Sequence, residues 1–204
     1  MYTRDNGGNT LPNKWLPFLK EMIGQPITVL EIGSFEGMST VWMLENLLTH
    51  PESKILCLDP FEANPEFYRG TVGNYLGAFQ ENVAPFKEKV IIIQKRSQLA
   101  KQDLEPYRGK LSLAYIDGSH ECQDVFYDAL LCAYLVKPGG LIIFDDIPFD
   151  GVRKAVDDFI PQCSSDFEIL HKEPTQWLFK RKISSESDKN SAPRRSRSGT
   201  RKKA

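Results

Sequence analysis

The sequence predicts an α/β domain with a doubly wound, mostly parallel sheet and a C-terminal antiparallel hairpin. Three observations carry that expectation. Apolar strand-like runs alternate with helical patterns at short intervals, and such alternation requires right-handed crossovers between parallel strands. The first run passes through a glycine-bracketed turn, Gly33-Ser34-Phe35-Glu36-Gly37, straight into a helical pattern. Carboxylates also recur where strand runs end, at Glu31, Asp59, Asp117 and Asp145-Asp146.

Taken in order, residues 11–23, with Trp15, Leu16, Phe18 and Leu19, read as a leading helix placed to cover a pocket. Residues 27–32 are an apolar run ending beside Glu31, and 38–49 carry Val41, Leu44 and Leu48 at helical spacing before Pro51. Further strand runs lie at 54–58, 90–94, 111–116 and 141–144. A helix is expected over 121–136, stopped by Lys137-Pro138-Gly139-Gly140. Another is expected over 151–160, with Val152, Ala155, Val156 and Phe159 on one face. Residues 167–171 and 176–180 flank Lys172-Glu173-Pro174-Thr175 and read as the closing hairpin. Residues 60–85 break the rhythm as a long aromatic insertion, a functional loop or a packing excursion. The domain plan is a cap segment over 1–26, the α/β domain over 27–183 and a tail over 184–204.

Composition narrows the function classes. At 204 residues, 41% hydrophobic and 26% charged, the chain suits one globular domain. The longest apolar run, 129–136, is too short to span a bilayer, and the N-terminus shows no apolar signal core. Four cysteines without a C-x-x-C pair suit buried thiols in a reducing compartment, so a cytoplasmic location and no membrane partner are expected. The net charge of −1 conceals an asymmetry: from Lys180 onward there are ten Lys or Arg and two acids. An acidic body is a poor grip for phosphate backbones. The basic tail is expected to be disordered, and is either a solubility tail, a nuclear localisation signal or a nucleic-acid tether.

The chemistry concentrates at the carboxyl ends of the strands, where open α/β sheets bind ligands. Gly33 and Gly37 allow a tight turn and close approach of a ligand, at a helix start that favours an anionic group. A dinucleotide turn, Gly-x-Gly-x-x-Gly, would place its second glycine where Phe35 stands. Asp59, 26 residues beyond Gly33, is either a turn-forming Asp-Pro or a ribose-binding carboxylate. Ser39 reads as a helix cap or a contact to a cofactor. Asp117, Asp145 and Asp146 would crowd one rim, and like charges that close call for a hard divalent cation, unless Asp145 or Asp146 merely caps the next helix.

Glu31-x-Gly33-x-x-x-Gly37 resembles the first motif of class I S-adenosylmethionine (SAM)-dependent methyltransferases. Ser97-Gln98 after the third strand resembles the adenine-binding pair of catechol-type O-methyltransferases. Asp117-Gly118-Ser119-His120 with Asp145-Asp146 is similar to the metal-dependent, macrolide-sugar-type branch. The resemblance implies a seven-stranded Rossmann-like methyltransferase sheet over 27–183. It implies that Glu31, Gly33, Ser34, Gly37, Ser39, Asp59, Ser97, Gln98 and Asp117 bind SAM. It further implies that Asp117, Asp145 and Asp146 bind Mg2+ and that His120 is the general base. The expected reaction is methyl transfer to a hydroxyl of a small sugar- or phenol-like substrate. The alternative is a SAM-binding protein that acts on, or is tethered to, a protein or nucleic acid through the tail, without a metal. No Asn-Pro-Pro-Tyr or Asp-Pro-Pro-Tyr follows the fourth strand, which counts against amino-group methylation of DNA bases.

Overall fold

The computed structural model describes residues 11–62 and 74–183. Seven strands form one sheet: β1 Thr28–Ile32, β2 Lys54–Leu58, β3 Val90–Ile93, β4 Leu111–Ile116, β5 Val136–Phe144, β6 Phe167–Lys172 and β7 Trp177–Arg181. Their order is β3-β2-β1-β4-β5-β7-β6. The first five pair in parallel, and β7 lies antiparallel between β5 and β6. The chain winds outward from β1 to β3 and then returns to β1's other side as β4. The order therefore reverses between β1 and β4, and their carboxyl ends flank a crevice.

Six α-helices are described: α1 Leu11–Leu19, α2 Met38–Asn46, α3 Tyr75–Val83, α4 Lys101–Leu104, α5 Cys122–Leu135 and α6 Asp150–Cys163. The period of two along each strand sorts side chains between two cores. Leu30, Ile32, Leu56, Ala114, Ile116 and Phe144 pack with α5 and α6 through Val125, Ala129, Val156 and Phe159. The alternate residues Val29, Ile55, Leu113, Tyr115 and Ile143 pack with α1, α2 and α3 through Trp15, Leu19, Met43 and Phe79. Each such buried apolar side chain contributes roughly 1.5–3 kcal/mol. The doubly wound sandwich expected from the sequence is thus present.

Boundaries shift where tertiary contacts act. The leading helix stops at Leu19 and continues as a 3-10 turn, Lys20–Met22. α2 ends at Asn46, where the N–H groups of Leu47 and Leu48 both turn to the Met43 carbonyl. Residues 137–140, expected to be a turn, are drawn into β5, and the pairing slips between Leu111↔Val136 and Leu113↔Leu141. Arg181 enables this junction: its Nη1 donates to the carbonyls of Val136 at 2.6 Å and Ala133 at 3.3 Å. These are end-of-helix acceptors that α5 itself leaves unfilled. Within the 60–85 insertion, α3 starts at Asn74, whose Oδ1 accepts from the Gly77 N–H at 2.9 Å. Residues 1–10, 63–73 and the 184–204 tail lie outside the described residues. No helix among the described residues is long and apolar enough to cross a membrane. Cys57, Cys122, Cys132 and Cys163 are free thiols.

Candidate functional site

The glycine turn after β1 is built by protein contacts. Gly33 (φ +90°) and Gly37 (φ +85°) are both left-handed, a conformation cheap only for glycine. A Cβ on Gly33 would stand 2.0 Å from the Asp117 carbonyl oxygen, and one on Gly37 would stand 2.9 Å from the Phe79 ring. The space that a Cβ would take at these two glycines is filled by the β4 turn and by Phe79 of α3. These glycines bring β1 and β4 together at the crevice.

Glu31 points to the α2 side of the sheet, as period two requires, and is fully buried. Ser39 Oγ donates to its Oε1 at 2.5 Å and Thr40 Oγ1 donates to its Oε2. Burial pushes its carboxyl up, while Ser39, Thr40 and the nearby Ser34 hydroxyl draw it down. Glu31 thus anchors the start of α2 from beneath. Ser39 serves that anchor and is not a cap: Gly37 holds the cap position, without a side-chain bond. Ser34 is buried in the same place. These three expected cofactor contacts support the turn from behind it.

Asp59, at the end of β2, joins two strained turns. Among the described residues, three non-glycine residues have positive φ: Phe35 (46°), Phe61 (53°) and Asp146 (56°). All follow the carboxyl ends of strands, and such conformations cost on the order of 1–3 kcal/mol each and cluster at functional sites. The N–H groups of Phe35 and Phe61 donate to the two oxygens of Asp59, at 2.8 and 2.6 Å. Burial raises the Asp59 carboxyl, and these N–H bonds lower it. The Phe61 bond is the Asx-type turn foreseen for Asp-Pro. The half-buried carboxylate nevertheless stays at the crevice. The Phe35 ring lies 4.9 Å from Tyr75 and the Phe61 ring 5.2 Å from Phe79, forming an aromatic wall with α3.

After β3, Ser97 is buried, with its hydroxyl close enough to Asp128 of α5 to draw that carboxyl down. Gln98 is exposed, and its Nε2 donates to Asp124 Oδ1 at 2.8 Å. The pair lies at the rim as expected, with Gln98 held by an acid of α5.

Asp117, Asp145 and Asp146 do meet at the ends of β4 and β5. Tyr115 Oη lies between the first two, 3.0 Å from Asp117 Oδ2 and bonded to Asp145 Oδ2. Gln176 Nε2 also donates to Asp145 Oδ2, at 2.8 Å, and Trp15 Nε1 donates to Gln176 Oε1 at 2.7 Å. Asp145 Oδ1 accepts the Asp146 N–H. Burial and then the charges of Asp145 and Asp146 push the Asp117 carboxyl well above its usual range; burial also raises Asp145. His120 Nε2 lies 2.8 Å from Asp146 Oδ2, and the His120 ring stacks on Phe149 at 3.9 Å. A small cleft is lined by Asp117, Ser119, His120, Asp145 and Asp146.

Among the described residues, no three His, Cys, Asp or Glu side chains are grouped to hold a metal ion. Tyr115 and Gln176 engage Asp145, while His120 engages Asp146. The donor set still suits a hard divalent cation: it offers carboxylate oxygens, and a cation there would offset the like charges and burial that push the Asp117 carboxyl up. Tyr115 was legible as the same-face neighbour two residues before Asp117. Asp128 was legible as an acid within an apolar helix face. Nothing local marked Gln176 or Trp15, whose partners are distant in sequence.

A family model described as a methyltransferase domain matches residues 30–147. Among curated proteins none matches the sequence. Two solved structures show the same fold at low identity. The O-methyltransferase TomG from Streptomyces achromogenes, involved in tomaymycin synthesis and solved with SAM, is 15% identical with a TM-score of 0.63. That match covers 87% of this chain and 82% of TomG. The O-methyltransferase from Bacillus cereus, solved with S-adenosylhomocysteine (SAH), is 17% identical with a TM-score of 0.62, covering 88% of this chain and 84% of that one.

Proposed function

The chain belongs to the methyltransferase-domain family, and from that premise we propose that it transfers the methyl of SAM to a hydroxyl of a small sugar- or phenol-like substrate. The observation that carries this reading is the His120–Asp146 pair, 2.8 Å apart in the cleft at the end of β4 and β5. The sulfonium already activates the methyl group, so the protein must align the acceptor and take its proton. His120 is the base through the ring nitrogen that Asp146 does not hold, Asp146 fixes the tautomer and orients the ring from Nε2, and Phe149 backs it by stacking. The turn after β1, the Asp59 carboxylate and Ser97-Gln98 bind the methionine, ribose and adenine parts of the cofactor. The shared fold of the SAM-bound and SAH-bound relatives supports this assignment.

Asp117, Asp145 and Asp146 would hold Mg2+, which supplies Lewis-acid polarisation of the acceptor hydroxyl when bound. The test is calorimetric titration with SAM in Mg2+ and in EDTA, on the native chain and on D145A/D146A, followed by a methyl-transfer screen of hydroxyl compounds. We expect SAM binding and a stoichiometric Mg2+ site that the double variant loses. SAM binding without a metal site would remove Mg2+ and keep the cofactor. Absence of SAM binding in both buffers would overturn the reading.

A second reading rests on the basic excess from Lys180 onward: the tail brings the enzyme to a protein or nucleic acid. Methyl transfer to a macromolecule that stops when residues 184–204 are deleted would favour it over small-molecule chemistry. The body is expected to work in the cytoplasm.

A further inference from the structure

Gln98 carries an amide whose two ends, a donor NH2 and an acceptor oxygen, are nearly the same shape and are told apart only by their partners. Here the partner decides. Gln98 Nε2 faces Asp124 Oδ1 at 2.8 Å, and a carboxylate can only accept. The other oxygen of Asp124 accepts from Ser119 Oγ at 2.9 Å, so Asp124 is itself held in place. Asp124 therefore ties a side chain of the turn after β3 to α5 and to the Ser119 hydroxyl. The exposed amide of Gln98 is left with its oxygen, and one N–H, available to a ligand.

Resting on the SAM reading above, we propose that Asp124 is a positioning residue that fixes Gln98 Oε1 towards the purine and makes the cofactor subsite selective for a 6-amino over a 6-oxo base. A glutamine amide matches adenine by accepting from the 6-amino group while donating to the neighbouring ring nitrogen. A 6-oxo purine presents an acceptor where the amino donor stood. It would be accommodated only if the amide turned over, and turning it would set Gln98 Oε1 against the Asp124 carboxylate. Asp124→Asn removes that barrier, because an asparagine can present either its oxygen or its NH2 to Gln98. The selectivity lies in the orientation of one amide, which the carboxylate imposes from the side away from the ligand.

The experiment is calorimetric titration with SAH and with its 6-oxo counterpart, S-inosylhomocysteine, on the native chain, D124N and Q98L. We expect the native chain to prefer SAH by tenfold or more, on the order of one well-made hydrogen bond and one avoided mispairing. In D124N the preference should fall to about threefold or less while SAH still binds, and Q98L should show the same loss. Full preference retained in D124N would overturn the role of Asp124. Full preference retained in Q98L would overturn Gln98 as the reader. Native protein that binds neither compound would instead refute the cofactor reading and remove this proposal with it. Melting curves of both variants within about 2 °C of the native chain would verify that folding is unchanged, since Gln98 is exposed and Asp124 only partly buried.

Discussion

Replacing Asp128 by asparagine should stabilise the protein, increasingly so as pH rises. Asp128 is 2% exposed on the inner face of α5, beside Val125, Ala129 and Cys132. Burial raises its carboxyl from 3.8 to about 7, with Ser97 pulling it down and Asp124 pushing it up. The unfolded chain ionises this group first, so between those values the folded chain holds the extra proton and stability falls as pH rises. The full penalty above pH 7 is about 4 kcal/mol, from roughly 1.4 kcal/mol per tenfold change in proton affinity. Asparagine keeps the shape without the charge. The other raised carboxyls (Glu31, Asp59, Asp117 and Asp145) titrate in the same direction but are common to both proteins. Urea unfolding of native and D128N proteins at pH 5 and pH 8 isolates the effect. The advantage of D128N should grow by about 2–3 kcal/mol between the two pH values, the share of the linkage that falls inside that window. An advantage that is the same at both would refute the argument that burial of this carboxyl is a cost the fold carries.

Three further outcomes follow from contacts of the same kind. Gly33→Ala would drive a Cβ into the Asp117 carbonyl at positive φ, and neither backbone can yield. Its cost should exceed about 4 kcal/mol, read as a melting temperature lowered by about 10 °C or as failure to fold. His120→Asn should lower the methyl-transfer rate by about 10²–10⁴-fold while leaving SAM affinity, measured by calorimetry, within about twofold. Trp15→Phe keeps the ring against Tyr115 but strands Gln176 Oε1 in the interior, a loss of about 1–3 kcal/mol in urea unfolding.

The sequence alone carried the layout. Near-continuous apolar runs between helical patterns specify a sheet covered on both faces, because a strand with two apolar faces must be packed on both. Parallel strands align their carboxyl ends, so Glu31, Asp59, Asp117, Asp145 and Asp146 could be assigned to one rim without coordinates. Gly33 and Gly37 were legible as the turn that the rim needs. What each group does there depended on neighbours far away in the chain. Glu31 is spent on Ser39 and Thr40 because its strand parity turns it to the α2 side of the sheet. Gln98 is oriented by Asp124, on a helix that reaches it only after β4 has crossed the sheet. Asp145 is turned towards Tyr115 and Gln176, the latter on the hairpin 31 residues later and itself held by Trp15, 161 residues earlier than Gln176. Local patterns report how each residue sits on its own element. Hydrogen-bond partners and shifted carboxyls arise from the low-dielectric contacts between elements, which exist only once the sheet and its two layers have closed.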